Sequence, residues 1–304
     1  MNSVFRLDHV SKTYRSQRAL DDVSLTGGEG LVVALLGENG AGKTTALKIL
    51  LGLVEPDAGA AEVLEMDSRR QGQEIRRSVG YVPEQPTLYD WMTVAEAGWF
   101  AAGFYASGYL AKYSEFVKQF ELPEDRKIKA LSKGMRAKVS LSLAMAHEPQ
   151  LLVLDEPTSG LDSMVRREFL ESMVDVAAAG RTVLLSSHQI NEVERVADVV
   201  AILRKGRLVV REPLEDLKRS VRELTVTLEN GSPTAPDIPG TVIRQERRDR
   251  QWRFLVRDLE EQTLQQSRVG QVEVRQPSLE DIFVGYMRSE EAPASLFETS
   301  ETKE

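Results

Sequence analysis

Residues 31–54 read LVVALLGENGAGKTTALKILLGLV, and this stretch decides the fold more than any other part of the chain. Leu31–Leu36 is a short run of apolar residues, as expected of a strand buried on both faces of a parallel sheet. A glycine-rich loop follows immediately, and Thr44–Val54 then places apolar residues at helical spacing. The order strand, glycine-rich loop, helix predicts an α/β domain built on a largely parallel sheet.

The loop fits the pattern G-x-x-x-x-G-K-[ST], which binds nucleotide phosphates. Its glycines let backbone N–H groups and the helix N-terminus approach the phosphates closely. We expect Lys43 to neutralise β- and γ-phosphate oxygens and the Thr44 hydroxyl to ligate Mg²⁺. A glycine-rich turn with a solvated lysine is the alternative, and the flanking strand and helix argue against it. The predicted phosphate-binding residues are Gly37, Glu38, Asn39, Gly40, Ala41, Gly42, Lys43, Thr44 and Thr45.

A second motif, LLVLDEPTSGLD, occupies Leu151–Asp162. It begins with a buried strand, and Asp155 at the end of that strand is where a second Mg²⁺ ligand belongs beside a phosphate loop. Glu156, one residue further, is predicted to be the general base that polarises an attacking water. An acidic loop that caps the next helix is the structural alternative, which the intact phosphate loop makes the weaker interpretation.

The remaining pattern divides the chain into three parts. Thr182–Leu185 is a further buried strand, and Val199–Leu203 with Arg207–Arg211 forms a hairpin. Residues from about 91 to 145 change to helical periodicity and concentrate aromatic side chains, which predicts a helical insert. We expect a nucleotide-binding domain over residues 1–212, a small α+β module over 213–288, and a disordered acidic tail over 289–304.

The composition excludes several functional classes. The chain has 304 residues with 39 Lys and Arg against 47 Asp and Glu, a net charge of −8, so we expect no nucleic-acid binding through bulk charge. It contains no cysteine, which excludes disulfides, thiolate metal sites and cysteine nucleophiles. Neither a signal peptide nor an apolar stretch of about 20 residues is visible, so we expect a cytoplasmic protein that works at a membrane only through a partner.

Together these motifs resemble an ATP-binding cassette (ABC) ATPase. The phosphate loop, LSKGM, LDEPTSGLD and SSH occur in the order and spacing of that family, over about residues 4–211. The resemblance implies a P-loop NTPase core that carries an antiparallel β subdomain and the helical insert. It also implies ATP and Mg²⁺ as cofactors and ATP hydrolysis as the reaction.

LSKGM, at Leu131–Met135, looks like the signature motif of the family. Ser132 and Gly134 are therefore expected to contact the γ-phosphate that is bound by the opposite protomer, from the N-terminus of a helix. The motif departs from the usual LSGGQ, since Lys133 replaces a glycine and Met135 replaces a glutamine. A plain helix N-cap at Ser132 is the structural alternative.

Other site residues also take their roles from the resemblance. His188, in SSH, looks like the switch histidine that contacts the γ-phosphate and positions the water. Tyr14 resembles the aromatic residue that stacks on adenine, with a packing tyrosine as the alternative. Aligned through Tyr81 and Pro83, Glu84 occupies the position of the usual glutamine and is preferred, with Gln85 beside it as the alternative; either could reach Mg²⁺ or the water. Asp162 resembles the aspartate that links the two nucleotide sites across the dimer.

One phosphate loop and one signature per chain imply that each complete site draws on two protomers. We therefore expect a head-to-tail dimer, a homodimer in the simplest case, that closes on two ATP molecules and reopens on hydrolysis. The resemblance further implies transmembrane permease subunits as partners and a peripheral position at the cytoplasmic face of the cell membrane. Export is favoured because RQPSLEDIFVGYMR, at Arg275–Arg288, resembles the end of cassettes that serve ABC-2 type exporters.

Three alternatives stay open. A soluble ABC ATPase that acts on ribosomes or DNA is the second functional class, although such proteins generally carry two cassettes or a long coiled-coil insert. The aromatic residues around Tyr89, Trp91 and Trp99 either belong to the core of the insert or line a docking groove for a membrane subunit. The arginine-rich stretch Thr241–Arg257 either binds phosphate or an anionic lipid surface, or is a solvated hairpin.

Overall fold

The computed structural model describes residues 3–228, 234–266 and 271–289. The chain divides into two compact units, Met1–Leu208 and Val209–Glu304, and the described residues form three β-sheets. No helix in these ranges has the length and apolar content needed to cross a bilayer. The acidic tail predicted for residues 289–304 lies outside the described residues, apart from Ser289.

A six-stranded sheet carries the phosphate loop and the acidic pair. Its strands, in spatial order, are β10 (Arg207–Pro213), β9 (Val199–Arg204), β3 (Val32–Leu36), β8 (Thr182–Ser187), β7 (Leu151–Asp155) and β6 (Val79–Val82). β3, β7 and β8 are buried along their whole length, as continuous apolar runs predict for parallel strands covered on both faces. Leu36 pairs with Ser187 and Asp155 pairs with Ser186, so the carboxyl ends of these strands meet at one edge.

A second, antiparallel sheet covers the helix that follows the phosphate loop. Its strands, in spatial order, are β2 (Gln17–Gly28), β1 (Ser3–Tyr14), β4 (Ala58–Val63) and β5 (Met66–Asp67). Helix α1 (Lys43–Leu50) buries Leu47 and Leu50 in the same hydrophobic core as Val10 and Leu25 of this sheet. The antiparallel subdomain that the resemblance implies is thereby confirmed.

The helical insert has a core of its own. The helices of the first unit after α1 are α2 (Gly72–Ser78), α3 (Val94–Ala102), α4 (Tyr109–Gln119), α5 (Lys133–Met145), α6 (Ser163–Ala178) and α7 (Ile190–Val193), and α3 to α5 form the insert. A capping box of Thr93 and Glu96 starts α3, which fixes the point where the insert begins. The Tyr113 hydroxyl of α4 donates to the Val94 carbonyl of α3 at 2.8 Å, which ties the two helices together.

The aromatic residues in this region differ in their exposure to solvent. Tyr109 and Tyr113 are buried in the core of the insert. In contrast, Trp91, Trp99 and Phe104 have 64%, 67% and 70% of their surface exposed. The insert therefore separates its aromatic residues into a core set and a solvent-facing set.

The second unit is a small α+β fold, as predicted. Its strands, in spatial order, are β12 (Thr241–Arg248), β13 (Gln251–Arg257), β11 (Val221–Thr227) and β14 (Gln271–Arg275), and its helices are α8 (Leu214–Ser220), α9 (Glu261–Gln266) and α10 (Leu279–Arg288). The sequence reasoning missed α8, whose short span buries only Leu214 and Leu217. Within this unit Arg257 forms a two-pronged ion pair with Glu212, with each nitrogen 2.8 Å from a carboxylate oxygen. Arg257 also donates a hydrogen bond to the Tyr286 hydroxyl at 3.3 Å.

Candidate active site

At two glycines of the phosphate loop, neighbouring backbone atoms occupy the space that a side chain would need. A Cβ atom on Gly37 would lie 2.6 Å from the carbonyl oxygen of Leu203. Gly42 has a φ of 111°, and a Cβ atom there would collide with the carbonyl oxygen of Ala19. Because glycine alone adopts this conformation without strain, the loop can wrap closely at the N-terminus of α1. Backbone N–H groups at a helix N-terminus form a ready site for an anion.

Lys43, the first residue of α1, is buried with 6% of its surface exposed. Its ammonium group donates hydrogen bonds to the carbonyl oxygens of Gly37 at 2.7 Å and Glu38 at 3.3 Å. The same nitrogen lies 3.1 Å from Oε1 of Glu156. Since a buried cation is stable only when it is paired, the loop carbonyls and Glu156 together hold the Lys43 charge at the phosphate loop.

Asp155 ends strand β7 and is almost completely buried. Its Oδ1 accepts hydrogen bonds from the Thr44 hydroxyl at 3.1 Å and from the Ser186 hydroxyl at 2.6 Å. The two predicted metal ligands are therefore adjacent, and both offer oxygen atoms, which Mg²⁺ prefers. Sequence reasoning missed Ser186 as a site residue, and a serine inside a buried apolar strand was the signal that could have identified it.

Glu156 has a left-handed backbone, with φ at 48°, which a non-glycine residue adopts only when its surroundings hold it. Its N–H donates to the Ser186 hydroxyl at 3.0 Å, which fixes that conformation. Its Oε2 lies 2.7 Å from Nδ1 of His188, the residue after β8. A carboxylate held between an imidazole and an ammonium group is positioned to accept a proton from a water molecule in front of it.

Lys43, Thr44, Glu156 and His188 border an open cleft of about 580 Å³. The lining residues are Tyr14, Gln17, Ala19, Asn39, Gly40, Ala41, Gly42, Lys43, Thr44, Thr45, Glu84, Glu156, Ser159 and His188. The structure thus brings together residues from five separate segments that sequence reasoning assigned to one site. Gln17, Ala19 and Ser159 were not predicted, because nothing in their sequence context marks them as part of a site.

The cleft also separates the two residues left open at the glutamine position. Glu84 lines the cleft, whereas Gln85 lines only a neighbouring cleft of about 330 Å³. Tyr14 is 44% exposed, and its ring centre lies 5.6 Å from the Lys12 ammonium group. A partly exposed ring at the rim of a phosphate cleft has a free face for a nucleotide base.

Seven predicted residues do not line this cleft: Gly37, Glu38, Gln85, Ser132, Gly134, Asp155 and Asp162. Ser132 caps α5 by accepting the Met135 N–H at 3.2 Å, and Asp162 caps α6 by accepting the Val165 N–H at 3.0 Å. A Cβ atom on Gly134 would lie 2.7 Å from a methyl group of Val165, so the first turns of the two helices pack closely together. Ser132 and Asp162 thus lie at the starts of two packed helices, and Gly134 is buried where those helices meet.

Comparison with known proteins identifies two families. Residues 20–159 match the family model described as "ABC transporter". Residues 213–287 match a second model, "ATP-binding protein DrrA1-3-like, C-terminal domain". The first match spans the phosphate loop, the signature and the acidic pair, and the second spans most of the smaller unit.

Two curated relatives match about two thirds or more of this chain and of their own length. The daunorubicin resistance ATP-binding protein DrrA2 of Streptomyces coeruleorubidus is 37% identical over 221 residues, which is 71% of this chain and 69% of the relative. The ABC transporter ATP-binding protein NatA of Bacillus subtilis is 36% identical over 211 residues, which is 67% of this chain and 86% of the relative.

Solved structures agree with this assignment. One, the ATP-binding subunit of an ABC transporter, superposes with a TM-score of 0.66 at 34% identity and covers 71% of this chain and 92% of its own. Another, the dimeric cassette MJ0796 bound to ADP and Pi, has a TM-score of 0.63 at 27% identity and covers 69% and 98%. Lys43, Asp155, Glu156 and His188 lie close together beside the phosphate loop. This chain therefore belongs to the ATP-binding proteins of ABC transporters and is an ATP-hydrolysing cassette.

Proposed function

We propose that this chain powers the export of a substrate through separate transmembrane subunits at the cytoplasmic face of the cell membrane. The observation that carries the proposal is that one chain joins an intact hydrolytic site to a C-terminal domain of the DrrA1-3-like family. A relative at 37% identity is named for daunorubicin resistance, which supports export over import. The soluble alternative, action on ribosomes or DNA, gains no support from the relatives described above.

Hydrolysis would depend on Glu156 as general base. Its carboxylate takes the proton of the attacking water, while His188, 2.7 Å from Oε2, keeps the carboxylate in position. Lys43 neutralises the phosphate oxygens that gain charge as the terminal phosphate leaves. The adenine base would stack on Tyr14 at the rim of the cleft.

The residues present also fit Mg²⁺. The Thr44 hydroxyl and the Asp155 carboxylate, 3.1 Å apart, would hold it, and Glu84 lines the same cleft. When bound, the ion would neutralise part of the charge on the β- and γ-phosphates. The buried Ser186 hydroxyl fixes the Asp155 carboxylate by its 2.6 Å hydrogen bond, so this ligand is orientated before any metal arrives.

A complete site would require a second copy of the chain. Ser132 is exposed at the N-terminus of α5, where a second chain can reach it, whereas Gly134 is buried in the first turn of the same helix. In a head-to-tail homodimer each α5 N-terminus would face the terminal phosphate in the other chain, and the two sites would be equivalent. Asp162, at the start of the neighbouring helix α6, would lie between the two sites.

The exposed aromatic residues suit contact with a membrane subunit. Tyr89 lies against Trp91 and Phe100, with ring centres 6.0 and 5.6 Å apart, and Phe100 lies 5.5 Å from Phe104. An exposed aromatic cluster of this kind marks a protein-interaction surface. Asp90, inside the cluster, accepts a hydrogen bond from Arg136 of α5 at 2.8 Å. Binding of a membrane subunit at this cluster would therefore affect α5, the helix that carries the signature, through the contact between Asp90 and Arg136.

The test is an affinity purification in the source organism. Tagged Glu156→Gln protein, incubated with ATP, is recovered from detergent-solubilised cells beside the wild-type chain incubated with ADP. We expect a multi-span membrane protein in stoichiometric amount, enriched in the ATP-bound sample. Recovery of ribosomal or DNA-repair proteins without any membrane protein would contradict the transport assignment.

A further inference from the structure

The second unit contains a cleft of about 290 Å³ between one face of its sheet and helix α10. Side chains alternate between the two faces of a strand, and the other face of this sheet carries the apolar core around Leu224, Phe254 and Val256. Leu255, on the cleft side, packs against Gly285 of α10, so the helix covers only part of this face. The charged residues that line the cleft are Glu223, Arg244, Glu246, Arg248, Arg253, Arg275, Glu280, Asp281 and Arg288.

Positive charge is concentrated at the β12–β13 end of this cleft. Glu246 pairs with Arg244 at 2.7 Å and with Arg248 at 3.0 Å, and Arg253 stands opposite Glu246 in the strand register. Hydrogen bonding to Arg248, with the further charges of Arg244 and Arg253, holds the pKa of Glu246 below its ordinary value. Two guanidinium groups thus pair with one carboxylate and a third stands opposite it, so three positive charges accompany one negative charge at this end.

Two of the three acidic residues at the other end already have polar partners there. Glu223 pairs with Arg275 at 2.7 Å, and the Asp281 carboxylate accepts the Ser278 hydroxyl and N–H in the capping box of α10. Among the residues that the structure describes, Arg253 has no carboxylate within ion-pair distance. The excess positive charge at the β12–β13 end therefore favours the binding of an anion.

We propose that the β12–β13 end of the cleft binds a phosphate group, held by Arg248 and Arg253. Guanidinium groups recognise phosphate through paired N–H donors, and a phosphate group matches the excess charge. Clefts of roughly 300 to 1,000 Å³ hold drug-sized ligands, so this one has room for a headgroup or a small phosphate compound but not for a whole lipid. The phosphate comes either from an anionic lipid headgroup or from a free phosphate compound.

Vesicle co-sedimentation tests the lipid source. We expect the intact chain to sediment with vesicles of phosphatidylglycerol and phosphatidylcholine but not with phosphatidylcholine alone. Loss of one guanidinium should weaken binding about fivefold, and the double variant Arg248→Gln/Arg253→Gln about 25-fold. Arg247→Gln is the matched control. It removes the same charge, but Arg247 lies between Glu246 and Arg248 on the opposite face of β12.

Calorimetric titration with inorganic pyrophosphate tests the free source. It uses Lys43→Ala as the background, so that the phosphate loop contributes little, and compares it with Lys43→Ala/Arg253→Gln. If Lys43→Ala binds pyrophosphate and Lys43→Ala/Arg253→Gln binds it about fivefold more weakly, the ligand of the cleft is a free phosphate compound.

Two results would overturn the proposal. One is the absence of binding in both arms. The other is an equal loss in Arg247→Gln and Arg253→Gln, which would mean that bulk charge and not the cleft is responsible. Thermal unfolding of every variant, together with Arg253→Lys, which keeps the charge, separates a lost site from a lost fold.

Discussion

Replacing Glu156 by glutamine should separate ATP binding from hydrolysis. The amide keeps the shape of the carboxylate and can still accept a hydrogen bond from His188, which lies 2.7 Å from Oε2. It cannot take a proton from water, so we expect kcat to fall by about 10²- to 10⁴-fold, the usual contribution of a general base. We also expect ATP to bind more tightly, which a merely damaged site would not do.

The second expectation follows from the ion pair with Lys43. At 3.1 Å the two charges attract by about 5 kcal/mol gross if the effective dielectric constant is about 20. Most of that attraction offsets the cost of burying both charges, so the net value is much smaller. If about 1.4 kcal/mol remains, freeing Lys43 for the phosphates tightens ATP binding about tenfold.

The assay combines steady-state ATP hydrolysis with equilibrium binding of a fluorescent ATP analogue. Glu171→Gln is the control, because Glu171 forms an exposed ion pair with Arg167 on α6 and loses the same charge. A Glu156→Gln protein with kcat within about fivefold of wild type would refute the base assignment. Weaker ATP binding in a folded Glu156→Gln protein would refute the argument from the Lys43 ion pair.

Three further predictions follow from particular contacts. Lys43→Ala should weaken ATP binding about 100-fold in equilibrium binding, since a buried charge contact to phosphate is lost; near-normal binding would contradict its role. Arg257→Met should lower the free energy of unfolding by about 2–3 kcal/mol in urea titrations, because Glu212 loses its two-pronged partner; an unchanged midpoint would show that the pair is neutral. Burial lowers the pKa of His147 from 6.5, so the unfolded chain takes up protons more readily and stability is lost as pH falls below that value. His147→Asn should flatten the decline in melting temperature between about pH 7 and pH 5, and an unchanged slope would contradict this account.

The parts of the fold that sequence reasoning predicted are those with strong local patterns. Leu31–Leu36 and Leu151–Leu154 are continuous apolar runs, and the structure has strands there that are buried on both faces. The glycines of the phosphate loop and the spacing of the acidic pair are equally local. Helix α8 lacked such a pattern, since only Leu214 and Leu217 are buried in it, and it was missed.

Tertiary contacts account for what could not be predicted. The role of Ser186 depends on its position between Asp155 and the Glu156 N–H, which only the register of β7 and β8 determines. The alignment favoured Glu84 over the adjacent Gln85 without excluding Gln85, and the folded loop places Glu84 at the cleft. The packing of α10 on Leu255 likewise joins segments that share no motif.

The contact between Lys43 and Glu156 ties the two steps of the reaction together. If nucleotide phosphates bind Lys43 as proposed, they compete with Glu156 for the same ammonium group, and we expect ATP binding to release the carboxylate from Lys43 and leave it with His188. Such coupling is reciprocal: the free energy with which the ion pair opposes ATP binding equals the free energy with which ATP releases the base. We therefore expect Glu156→Gln to bind ATP more tightly because the Lys43 ion pair is lost, and to hydrolyse it more slowly because the amide cannot accept a proton. Both quantities must be measured to separate these two effects.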